Sequence, residues 1–181
     1  AKEHRMTAER FAAYAQGLDL SGLPAEARRR ALQGLADRLN RLSTEERRRV
    51  RLEGTALRLF NQMTEEEKGT FVEKTLPSGF KQMLASFEQL PEDRRRRTVE
   101  DALRSLRAHR DRLETGEGES PSDDTNAPPV LSPELEAKIK TIGLNAFYSQ
   151  SSAQTKAELA PVLEEMQLIM HSGRPLRERR R

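Results

Sequence analysis

The sequence predicts an all-α fold of about eight short amphipathic helices, forming a helical bundle or array and ending in a C-terminal helical hairpin. Three observations predict it. Apolar residues recur at three- and four-residue intervals along most of the chain, which gathers them on one side of a helix. Helix-start signals separate those stretches. No segment alternates apolar and polar residues with β-branched enrichment over four or more positions, so no strand is expected.

The start signal reads apolar, then Ser, Thr or Pro, then any residue, then usually an acid. It occurs at Met6-Thr7-Ala8-Glu9, Leu23-Pro24-Ala25-Glu26, Leu42-Ser43-Thr44-Glu45, Met63-Thr64-Glu65-Glu66, Leu90-Pro91-Glu92-Asp93 and Leu131-Ser132-Pro133-Glu134. A Ser or Thr oxygen accepts the orphan N–H groups of a first turn. Proline loses nothing there, and acids face the positive end of the helix dipole. Ser43 with Glu46, Thr64 with Glu67 and Ser151 with Gln154 are spaced as capping boxes.

Helices are therefore expected at about 6–16, 24–41, 44–61, 65–75, 78–89, 92–113, 133–148 and 152–171. Leu32, Leu35, Leu39 and Leu42 share one face, as do Val50, Leu57 and Phe60. Phe80, Met83, Leu84 and Phe87 form a third stripe, and Val99, Leu103, Leu106 and Leu113 a fourth, interrupted by Arg110. Leu135, Ile139 and Ile142 line the first helix of the C-terminal hairpin. Leu159, Val162, Met166, Ile169 and Met170 line the second.

Four regions follow: a helical region over 1–114, an acidic linker over 115–130, the hairpin over 131–173 and a basic tail over 174–181. The linker is rich in Gly, Ser, Pro and acid and has no large apolar residue before Val130, so disorder is expected. The tail is expected to be disordered as well. Two helices are too few to stand alone, which predicts that the hairpin docks on the first region or on a partner.

Composition narrows the chemistry. Apolar residues make up 35% of the 181 and charged residues 34%, so the core must be thin, built mostly from Leu, Met, Ala and Phe. With no cysteine, disulfides, thiolate nucleophiles and cysteine metal sites are excluded. No run approaches the ~20 apolar residues of a membrane span. The three histidines, His4, His109 and His171, are far apart and fit no metal motif, so no metal site and no cofactor is expected. Neither a nucleophile elbow nor a phosphate-cradling glycine loop is present, and the carboxylates sit mostly in first turns or opposite arginines. No catalytic residue, enzyme activity or small-molecule substrate is expected.

The net charge of +3 is unevenly spread: residues 1–113 carry +6, 114–124 carry −5, 125–173 carry −2 and 174–181 carry +4. Eleven of the 32 basic residues lie in three arginine runs: Arg28 to Arg30, Arg47 to Arg49 with Arg51, and Arg94 to Arg97. Arg47, Arg48, Arg51, Arg94, Arg95 and Arg97 are candidate contacts for an acidic protein or an anionic lipid surface, with nucleic acid the alternative. Acids beside each run, and the absence of interleaved aromatics for stacking bases, favour a solvated helix surface. Phe147 and Tyr148 bring both aromatics of the C-terminal half to a helix corner, either as packing or as a docking epitope.

The pattern Leu42-Ser43-Thr44-Glu45-Glu46-Arg47, Met63-Thr64-Glu65-Glu66-Glu67-Lys68 and Leu90-Pro91-Glu92-Asp93-Arg94 resembles bacterial helical proteins with repeated Leu-Ser/Pro-x-Glu-Glu/Gln-Arg steps, over about residues 20–113. It is more distantly similar to periplasmic Leu-Thr-x-x-Gln stress chaperones and metal sensors. Glu46, Glu67 and Arg94 stand near where that second group has Gln, and its metal ligands are missing. The resemblance implies the soluble helical part of a membrane-anchored envelope protein, its anchor preceding Ala1. The expected function is a non-enzymatic helical interaction or scaffold domain, engaging a protein partner or a second copy of itself. The alternative is a nucleic-acid-binding helical protein using the arginine-rich starts and the basic tail.

Overall fold

The computed structural model describes residues 5–116 and 131–172. Most of the expected linker, the whole tail, His4 and the His171 side chain lie outside those residues. Among the described residues the chain forms eight α-helices and no strand, so the fold is all-α. They are α1 (Ala8–Gln16), α2 (Ala25–Asn40), α3 (Thr44–Glu53), α4 (Thr55–Asn61), α5 (Glu65–Gln89), α6 (Glu92–Thr115), α7 (Pro133–Gln150) and α8 (Ala153–Ser172), with a 3-10 turn at Leu20–Gly22.

Most starts are capped as the sequence implies. The Thr7 hydroxyl accepts from Arg10 N at 3.2 Å, and the Ser132 hydroxyl accepts from Leu135 N at 3.1 Å. The Thr64–Glu67 box closes in both directions, at 2.8 and 3.2 Å. Ser43 accepts from Glu46 N, but the Glu46 carboxylate turns away and accepts from Ala8 N at 2.7 Å, capping α1 instead. The expected Ser151–Gln154 box is not made. Ser152 caps α8 through Thr155 N at 3.1 Å, and Gln154 reaches Glu158.

Two expected boundaries differ. Helix 44–61 is broken at Gly54, whose φ of +72° is left-handed backbone that a side chain would strain. The expected break before Pro77 is absent, and α5 runs through it. Pro77 is exposed, so the carbonyl one turn back, which loses its N–H partner, can be met by water.

The chain divides into two compact units, Ala1–Ala85 with Asn126–Gln150, and Ser86–Thr125 with Ser151–Arg181. The first holds the principal core, where Phe11, Leu20, Leu35, Val50 and Leu59 are essentially fully buried. Each such side chain contributes about 1.5–3 kcal/mol on leaving water. The stripe Leu32, Leu35, Leu39 and Leu42 is buried throughout. Tyr14 lies under the Arg38 guanidinium at 3.7 Å. Helix α7 joins this unit through Lys138–Glu73 at 2.7 Å and Ser132–Glu65 at 2.8 Å.

The second unit is built on α6 and α8. Glu88 faces Thr155, Arg95 faces Glu158 and Arg110 faces Glu165; the order ascends on both sides, so the two helices run in the same direction. The expected 131–173 hairpin is thus divided, with α7 in the first unit and α8 in the second, because the acids of α8 find their complement in the arginines of α6.

Candidate interaction surfaces

Each arginine run turns one residue inward. A helix advances about 100° per residue, so three or four consecutive arginines cannot share a direction. Arg28 forms a bidentate pair with Glu67 at 2.7 and 2.8 Å and donates to the carbonyls of Leu20 at 2.7 Å and Gln62 at 3.1 Å. Hydrogen bonding by Arg28 is the largest cause holding the Glu67 carboxyl at about 2, and the backbone N–H of Thr64 adds to it. Arg47 donates to Thr75 O at 2.6 Å and to Ser78 Oγ at 2.9 Å. It lies over Gly79, where an added Cβ would stand 3.1 Å from the guanidinium. Burial lowers the Arg47 pKa. Arg95 donates to Leu90 O at 2.6 Å and pairs with Glu158 at 2.8 Å; the hydrogen bond between the two side chains raises the Arg95 pKa and lowers that of Glu158.

The other run members are exposed. Arg29 and Arg30 pair with Glu26, Arg49 with Glu46 and Arg96 with Glu92, all within one helix turn. Arg48 and Arg51 on α3, and Arg94 and Arg97 on α6, stand exposed on the outward sides of their helices. Leu52 lies one turn from Arg48 and is 66% exposed. Of the six candidate arginines, then, Arg47 and Arg95 are cross-links within their units, and the other four face solvent.

The aromatic pair also separates. Phe147 is buried in the first unit, while Tyr148 meets it edge-on at 5.3 Å and is 62% exposed.

Exposed apolar side chains occur in both units: Leu52, Met83 and Tyr148 in the first, and Leu113, Met166 and Leu168 in the second, which buries the fewer apolar residues of the two. Helix α6 buries none of its residues; Val99, Leu103 and Leu106 are half-buried, and Leu113 is exposed. Along α8, Thr155, Glu158, Val162, Glu165 and Ile169 follow a three-four spacing, and Glu158 and Glu165 of that series meet α6. Glu165 is buried, with Arg110 Nη1 at 2.7 Å and Arg107 at 3.9 Å; the nearer oxygen has the ion pair without a directed hydrogen bond. At the head of α8, the Glu88 carboxylate accepts from Ser152 N at 3.2 Å and Thr155 Oγ1 at 2.9 Å, which lowers its pKa.

Between α2 and α5 lies a partly open cleft of about 360 Å³. The buried Leu32, Ala36 and Phe71 line it, with Arg29, Glu66 and Lys74 at its exposed margin. Its one strongly shifted carboxylate, Glu67, is occupied by Arg28. Among the described residues no three His, Asp or Glu side chains converge as metal ligands would, and no helix is long and apolar enough to cross a membrane. Comparison with known proteins gives no match to a family model, to a curated protein or to a solved structure.

Proposed function

We propose that the chain is a non-enzymatic helical interaction or scaffold protein that receives protein partners on the incompletely covered helix faces of its second unit. Helix α6 carries this reading: it is 24 residues long, amphipathic, and buries none of them. On the same pair of helices, Leu113, Met166 and Leu168 are exposed. Apolar groups left half in water favour any partner that covers them. Photo-crosslinking residues at Leu113 and at Met166, with Arg104 on the charged side of α6 as the control, test it in native extract. Discrete adducts at the two apolar positions and not at the control support the reading. Equal labelling, or none, removes it.

Arg48, Arg51, Arg94 and Arg97 favour a second reading, a nucleic-acid or anionic lipid surface, because all four are exposed. Nucleic-acid affinity should then fall steeply with salt and fall again in Arg48→Gln/Arg51→Gln. No binding at ~50 mM salt removes that reading. The proposed envelope location rests on the resemblance alone, and an apolar run of ~20 residues encoded before Ala1 would support it.

A further inference from the structure

We draw no further inference here: the strongest candidate, the half-buried apolar face of α8 formed by Leu159, Leu163, Met166 and Met170, carries nothing, because the pairs of Glu158 with Arg95 and of Glu165 with Arg110 are already made within the chain and nothing in the structure shows what covers that face.

Discussion

Replacing Arg28 or Glu67 should destabilise the first unit by an amount that depends on pH. The Arg28 guanidinium makes two bonds to Glu67 and two to backbone carbonyls, and one of those carbonyls belongs to the buried Leu20. Glu67→Gln removes the charge and keeps the shape. The Glu67 carboxyl falls from 4.5 to about 2 in the fold. Linkage converts that difference to roughly 3 kcal/mol if unscreened. The side chain is 20% exposed, so water screens part of it, and about 2 kcal/mol is the expected loss at pH 7. The folded pKa is depressed, so this stability is complete above pH 4.5 and disappears as the pH falls toward 2. Urea midpoints of the wild type and Glu67→Gln, measured from neutral pH downward, should differ by about 1 M at neutral pH and converge in acid. Arg28→Met should cost as much or more at neutral pH, because it also strands the two carbonyls. A neutral-pH gap below about 0.5 kcal/mol, or a gap that persists undiminished to pH 2, would refute the account of this joint.

What could be read from the sequence was mostly local. The stripe from Leu32 to Leu42 needs only the helical period and a neighbour, and all four leucines are buried. Ser132 and Thr64 cap because their partners lie three residues on. Long-range competition decided the rest. Glu46 is spaced to close a box with Ser43, yet Ala8 N, 38 residues away in the chain, takes its carboxylate. Pro77 signals a break by itself, but flanking residues of α5 such as Phe71, Val72, Leu84 and Phe87 are buried and hold the helix through it. In the arginine runs composition cannot say which member turns inward; that depends on where Glu67, the Thr75 carbonyl and Glu158 sit. On α8, Leu159 and Met166 read as part of one stripe with Val162 and Ile169, and only the contacts of Glu158 and Glu165 with α6 show which side of the helix is turned toward it.

Three further substitutions probe the frame. Arg47→Leu strips the bonds to Thr75 O and Ser78 Oγ and should cost about 1–3 kcal/mol, read by thermal melting; Arg48→Leu, on the exposed side of the same helix, should change stability by no more than about 0.5 kcal/mol. Pro77→Ala restores a backbone donor to α5 at an exposed site and should raise stability by about 1–2 kcal/mol; an unchanged or lowered urea midpoint would refute the cost assigned to the missing donor. Gly54→Ala should cost about 1 kcal/mol, because only the left-handed backbone there brings Leu59 into the core. In an unbroken helix Leu59 would lie half a turn away from Val50, and Leu57 and Phe60 would take its place. Both Val50 and Leu59 are 1% exposed, whereas Leu57 and Phe60 are only half-buried, so the break exchanges which side chains reach the interior. No atom lies within 4 Å of the Cβ that alanine would add, so a loss of stability would report backbone strain and not a clash. A Gly54→Ala variant as stable as the parent would show that α3 and α4 can fuse into one helix, and the burial of Leu59 would then need another cause.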